Sequence, residues 1–318
     1  MNSEIFLFRM FLKVPNFLVL LLYLLLIMHD FWNTLRLLRL PFSFLLMPVF
    51  LFALSQVEHL SWSRALWTFL ILHLLVYPAS NGYNSYVDKD EGSIGGLEKP
   101  PLPTDFLFFV TLFLDLLALI LAYFLLGISF MLCLLLYIVA SRAYSSRMIR
   151  LKKYPIGGFL VVMIFQGGFT YYLSLMGLTA DRINFDASLS WVLLACSFQI
   201  AGVYPLTQIY QHQQDLADGV VTLSYRLGYR GTFVFSAVMF ALSNLFYYQY
   251  FASRSDGMVF YYLQLFFLPI IGYFGYWMLL VWRNSEQANF KHTMRMNLIA
   301  ALSLNSFFIY LIILRHYL

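Results

Sequence analysis

Continuous apolar stretches, each about twenty residues long, constrain this chain more than any other feature of its sequence. A bilayer's hydrocarbon core, about 30 Å thick, takes roughly 20 apolar residues per helix. Nine such stretches can be placed, at about 40–57, 66–83, 106–124, 127–141, 156–177, 188–209, 232–251, 258–281 and 297–314. They are apolar throughout rather than alternating, which excludes a membrane β-barrel. Across 318 residues 61% are hydrophobic and 11% charged, too little charge to cover a water-soluble domain of this length. The expected fold class is all-α, a polytopic membrane bundle of about nine transmembrane helices.

The basic residues test that count, because cytoplasmic loops carry an excess of Lys and Arg. Nine spans with the amino end inside put Arg36, Arg39, Lys89, Lys99, Arg142, Arg147, Arg150, Lys152, Lys153, Arg226, Arg230, Arg283, Lys291 and Arg295 on one face. Arg64, Arg182, Arg254 and Arg315 fall on the other. Adding or removing one internal span scrambles this bias. The net charge of +5 is thus accounted for by topology, and no nucleic-acid partner is expected. The expected location is the bacterial cytoplasmic membrane, with membrane lipid as a partner.

Residues 1–32 read as an N-terminal extension to a membrane domain spanning 33–318. Within the extension, Val14 to Met28 is apolar but short for a span and ends at His29-Asp30. A tenth helix, an interfacial segment and a leader all fit it, and Met28 could itself be the start. Cys133 and Cys196 lie inside apolar runs and read as small core residues.

Polar chemistry collects in two loops on the basic face. The first, Asn81 to Pro103, reads NGYNSYVDKDEGSIGGLEKPPLP. Asn81, Asn84 and Asp88 recur at i, i+3 and i+7, one face of a helix leaving the membrane. Asp90 and Glu91 follow. The second, Tyr204 to Gly228, carries Thr207, Gln211, Asp215 and Asp218, which we expect to form a similar stripe. Four spans separate the loops, so both return to the same mouth. Polar loops end membrane helices in any such protein, and one acidic loop alone would mean little. Two that face each other suit Mg²⁺, which takes one or two carboxylates, waters and phosphate oxygens. A third loop, SRAYSSRMIRLKKYPIGG, supplies Arg142, Arg147, Arg150, Lys152 and Lys153. These anchor the chain at the interface or meet a diphosphate.

These residues resemble the UbiA superfamily of intramembrane prenyltransferases over about residues 33–318. NSYVDKDEG is similar to the family's first Asp-rich motif at Asn84, Asp88 and Asp90, and GGLEKPPLP to the segment that follows it. QHQQDLADGVVTLSYRLG is similar to the second motif at Asp215, Gly219, Thr222, Leu223, Leu227 and Gly228. YSSRMIRLK resembles the family's basic stretch at Tyr144, Arg150 and Lys152. The chain departs from the pattern at Gly92 and Gln211, where acids are expected, at Ser85, and at Ser146-Arg147-Met148. Either Asp90, Glu91 and Asp218 compensate, or the site binds metal weakly.

The resemblance implies transfer of a prenyl group from a polyprenyl diphosphate to a lipophilic, aromatic acceptor. It implies Mg²⁺ as cofactor, with Asp88 and Asp215 catalytic. Asn84, Asp88, Asp90, Glu91, Asp215 and Asp218 are the expected metal set. Lys99, Tyr144, Arg150, Lys152 and Gln211 are the expected diphosphate contacts. Two other readings stay open: a family member that has lost catalysis and kept isoprenoid binding, and a secondary transporter using Asp115 and His73 within the spans. Charge at mid-bilayer costs about 2.5–3.5 kcal/mol on insertion scales, which makes such residues functional candidates. We expect a protonated Asp115 hydrogen-bonded to a neighbouring helix.

Overall fold

A computed structural model describes residues 16–181 and 183–317. Most of the N-terminal extension's first half (1–15) and Arg182 of the far-face basic set lie outside the described residues. Helix α1 covers Asn16–Leu38 and α2 covers Ser43–Gln56. Helices α3 (Trp62–Phe69) and α4 (Tyr77–Asp88) are joined by a π-helical stretch, Leu70–Val76. Then come α5 (Asp105–Leu126) and α6 (Ile128–Ser145). Helices α7 (Pro155–Val162) and α8 (Thr170–Leu178) flank a second π-helical stretch, Met163–Phe169. The order closes with α9 (Ala187–Gln208), the short α10 (His212–Ala217), α11 (Leu223–Ser253), α12 (Gly257–Arg283) and α13 (Phe290–His316).

Among the described residues, nine helical stretches are long and apolar enough to cross a membrane, and no strand forms beyond an isolated bridge between Ile94 and Leu97. The all-α bundle expected from the sequence is the fold. The first of the nine begins at Met28 rather than near residue 40. Helix α1 continues through residues 32 and 33 without a break, and the chain bends only at Arg39, whose φ is 51°, and the following Leu40-Pro41.

Lipid tails are as apolar as Leu, so burial from water does not hold such helices together; close packing and buried polar links do. At Gly167 the π-helical stretch presses backbone to backbone on α9, where an added Cβ would overlap Cα of Ser197. The Gly168 N–H donates to Ser197 Oγ at 3.0 Å. Ser243 of α11 likewise donates to the Ala195 carbonyl of α9 at 2.8 Å. At the end of the bundle remote from the acidic loops, Tyr250 donates to Gln56 Oε1 at 2.9 Å, and Arg315 donates to Gln56 Oε1 at 2.6 Å and to the Ser55 carbonyl at 2.9 Å.

Asp115 is hydrogen-bonded to a neighbouring helix as expected, and its partner there is a cation. Arg142 of α6 donates to its Oδ2 through Nε at 2.9 Å and through Nη2 as well. The same guanidinium donates to Thr111 at 3.2 Å and lies 4.0 Å from the Tyr83 ring centroid. An adjacent helix therefore supplies the countercharge that a lone mid-span carboxylate lacks. His73 is buried against Phe69 and Phe50, with Nδ1 3.2 Å from the Ser43 carbonyl. Cys133 and Cys196 are free thiols, the latter buried.

Candidate active site

Helix α4 runs to Asp88, so Asn81, Asn84 and Asp88 do share a face. Lys89 then turns into the left-handed region (φ 53°) and its N–H closes on the Ser85 carbonyl at 3.0 Å. Ile94 and Leu97 pair through both backbone hydrogen bonds, each 2.9 Å, and fold the loop back over the bundle. Arg39 pins that loop from beneath, donating to the Gly95 and Asn81 carbonyls, each at 3.1 Å.

The second stripe is broken. Helix α9 carries Pro205 in its last turn and stops at Gln208. Gln211 opens α10, whose Asp215 N–H reaches the Gln211 carbonyl at 2.8 Å. Asp218 is not on that helix face: it is the residue that ends α10, with φ −86° and ψ 9°. Arg147 Nη1 binds its Oδ1 at 2.9 Å and Arg150 Nη2 binds its Oδ2, so both oxygens are committed to the basic loop.

That basic loop places one cation in the centre. After Arg150, itself at φ 49°, a single 3-10 turn, Leu151–Lys153, carries Lys152 inward to pair with Asp88 Oδ2. Both partners are nearly buried, and Asp88 Oδ1 has no hydrogen-bond partner. Around them Ser145 donates to Asn84 Oδ1 at 2.8 Å, the Tyr144 and Tyr204 hydroxyls pair, and Gln208 donates to Tyr204 at 2.8 Å. Gln211 donates to the Ser93 carbonyl at 3.1 Å and Gln214 to Asp90 Oδ1, joining the two acidic loops directly.

A cavity of about 320 Å³ opens beneath this cluster. Its mouth is lined by Asn84, Asp88, Asp90, Lys152, Tyr144, Gln211 and Asp215. Its interior is lined by apolar and aromatic side chains of α2, the α7–α8 stretch, α9, α11 and α13, down to Phe52, Tyr247 and Phe308. The mouth holds its acids in a poorly solvated setting. Burial first, then the neighbouring Asp88, pushes Asp90 up to about 6, against the pull of Lys152 and the Gln214 hydrogen bond. Burial likewise pushes Asp215 up to about 7, with Lys152 opposing and Asp90, Asp88 and Asp218 adding to the rise. Lys152 is thus the cation that all three inner carboxylates share.

Seven of the sequence-picked residues come together at the mouth: Asn84, Asp88, Asp90, Tyr144, Lys152, Gln211 and Asp215. Four do not. Glu91 points to solvent, because the chain has already left the helix at Lys89. Lys99 is exposed on the outer side of the loop, its carbonyl 3.4 Å from Arg36 Nη2. Asp218 and Arg150 neutralise each other away from the cavity lining. Asp218 thus faces the basic loop here, while Gln211 lies at the mouth. Sequence reading missed Arg39, Gln208 and Gln214. Arg39 was visible only as one of many interfacial cations; the sole hint was its place before Leu40-Pro41, where a helix cannot run on unbent.

Carboxylates and a lysine thus stand over an apolar chamber within a bundle of membrane-length helices. The sequence pattern of the UbiA prenyltransferase family matches residues 40–299, and the chain belongs to that family. A UbiA homologue from Aeropyrum pernix K1 superposes with a TM-score of 0.65 at 15% identity, covering 85% of this chain and 97% of that one. A UbiA homologue from Archaeoglobus fulgidus, bound to GPP and Mg²⁺, gives 0.64 at 17% identity, covering 88% and 99%. A digeranylgeranylglyceryl phosphate synthase gives 0.59 at 16% identity, covering 89% and 99%. A search of curated proteins by sequence found no match.

Proposed function

We propose that the protein transfers a prenyl group from a prenyl diphosphate to a lipophilic, aromatic acceptor within the membrane. The observation that carries this is the pairing of an ionic mouth, built by Asp88, Asp90, Asp215 and Lys152, with an apolar chamber directly below it. The A. fulgidus homologue, solved with DMAPP or GPP together with Mg²⁺, supports the same occupant here. In this reading residues 33–318 are the catalytic domain, 1–32 its extension, and the acidic loops face the cytoplasm.

The residues present fit Mg²⁺. Among the described residues no three acids, histidines or cysteines converge on one point. Mg²⁺ does not need that, since one or two carboxylates suffice when phosphate and water complete its shell. Asp88, with one oxygen unpaired and buried, Asp90 and Asp215 are the residues that would hold it. Bound there, the ion supplies charge neutralisation for a leaving diphosphate.

The chain's own groups do the rest. Lys152 adds a fixed positive charge at the diphosphate, and the Tyr144–Tyr204 hydroxyl pair bounds the first carbons below it. The C–O bond breaks with its electron pair going to diphosphate, and the acceptor atom bonds to the freed carbon while its proton passes to the released diphosphate. The aromatic walls exclude water and offer π faces to the allylic cation. Buried atoms without partners, Gln199 Oε1, Gln208 Oε1, Asn81 Nδ2 and the Tyr77 hydroxyl, line the same chamber and can bind a polar group on the acceptor. The test is diphosphate release by purified protein given a prenyl diphosphate, Mg²⁺ and a lipid extract. Release that needs all three supports the reading. Binding without release favours a protein that has kept the isoprenoid site and lost the reaction.

A further inference from the structure

The chamber has a measurable depth. On α2 its wall runs from Leu45 to Phe52, seven residues, or about 10 Å at the helical rise. On α13 it runs from Asn297 to Phe308, or about 16 Å. Both walls end in a ring. Phe52 is fully buried and stacks on Phe308 with centroids 4.6 Å apart. Tyr171 and Tyr247 pack on the same ring at 5.1 and 5.5 Å. Behind this plug the Gln56–Tyr250–Arg315 hydrogen bonds form a second, polar layer. The inner end is closed twice over.

We propose that a chamber of this depth selects a short donor of about ten carbons, and that Phe52, backed by Phe308 and Tyr247, sets the limit. The proposal deepens the prenyl-transfer reading and rests on it. It narrows the expected polyprenyl donor to a geranyl-sized one. Phe52 acts by touching the end of the chain, so removing its ring lengthens the space, while filling the wall above shortens it. Val49 lies three residues before Phe52 on the same helix, lines the chamber and sits one turn nearer the mouth.

The experiment measures direct binding and kcat/KM for diphosphates of five, ten, fifteen and twenty carbons, with Mg²⁺, on the full-length protein in detergent or nanodiscs. The ten-carbon donor is expected to be preferred over the twenty-carbon one by at least tenfold. Phe52→Ala should move the preference toward fifteen carbons by at least tenfold. Val49→Phe should move it toward five, and it carries the test if the Phe52 variant does not fold. Equal binding of all lengths by the wild type, or unchanged preference in a folded variant, overturns the assignment and leaves prenyl transfer standing. No binding of any of the four overturns both.

Discussion

Gln214 of α10 donates a hydrogen bond to Asp90 of the first acidic loop, and its Oε1 fills the space that a side chain at Gly92 would need. With Gln211 donating to the Ser93 carbonyl, this makes a clasp between the two loops. Both departures from the family's acids, Gly92 and Gln211, are parts of it. The clasp brings the loops together through two uncharged glutamines where additional carboxylates would repel one another.

The first prediction follows from that overlap. Gly92→Ala should displace Gln214 and act like Gln214→Ala, each weakening Mn²⁺ or Mg²⁺ binding about threefold to tenfold, the size of one hydrogen bond. The double variant should be no worse than either single one, since both remove the same contact. Additive losses in calorimetric titrations would show two independent effects.

The raised acids give a pH dependence with a definite sign. A carboxyl whose folded value lies above its unfolded one stabilises the fold at low pH and loses that contribution as pH rises through the folded value. With Asp90 at about 6 and Asp215 at about 7, metal-free protein should become less stable between about pH 4 and 7. Metal held as proposed by Asp90 and Asp215 would need both ionised, so Mg²⁺ affinity should climb over pH 5 to 8 and offset that loss. Melting curves in chelator and in Mg²⁺ across this range check both halves. In Asp215→Asn the upper part of each trend should vanish.

Asp218 should behave as a tether for the basic loop. Asp218→Asn is expected to raise the KM for the diphosphate several-fold, with little further loss when combined with Arg150→Ala, because one ion pair links them. Metal affinity should stay within about twofold, an effect below 0.5 kcal/mol. A large loss of metal binding in Asp218→Asn would return that residue to the metal set.

What the sequence disclosed and what it hid divide along physical lines. The stripe Asn81, Asn84, Asp88 was legible because one unbroken helix enforces its period. The stripe through Asp218 was not, because Pro205 and the turn at Ile209–Gln211 reset the register. Lys152 and Arg150 looked alike as loop cations; only tertiary geometry sends the first to Asp88 and the second to Asp218. The closed inner end could not be read at all, since Phe52 and Phe308 meet from opposite ends of the chain among many similar aromatics.

The side of the membrane can be tested with single cysteines in a chain lacking Cys133 and Cys196. Met148, in the basic loop, is almost fully exposed, and Ser93 sits in the first acidic loop. Cysteines at both should resist an impermeant thiol reagent in intact cells, while one at Ser255 should react. Ser145 is buried against Asn84 and is a poor reporter. Reaction at Met148 and Ser93 together would turn the whole bundle over.

The last prediction concerns the pair inside the membrane, where a transport reading would place its mechanism. Asp115 is mostly buried and bound twice by Arg142, and neither residue lines the chamber. Removing one partner leaves the other charge without compensation in a poorly polarisable setting, which costs about 3–5 kcal/mol. Asp115→Leu and Arg142→Leu should therefore each lower folded yield and melting temperature sharply. Replacing both together should recover much of the loss, since a buried ion pair exchanged for well-packed apolar residues is often neutral. Turnover per folded molecule should change little in the double variant. A carrier that moved protons through Asp115 would behave in the opposite way: the double variant would fold and yet abolish uptake in proteoliposomes. Measuring yield, melting and turnover on the same three preparations distinguishes a structural pair from a working one.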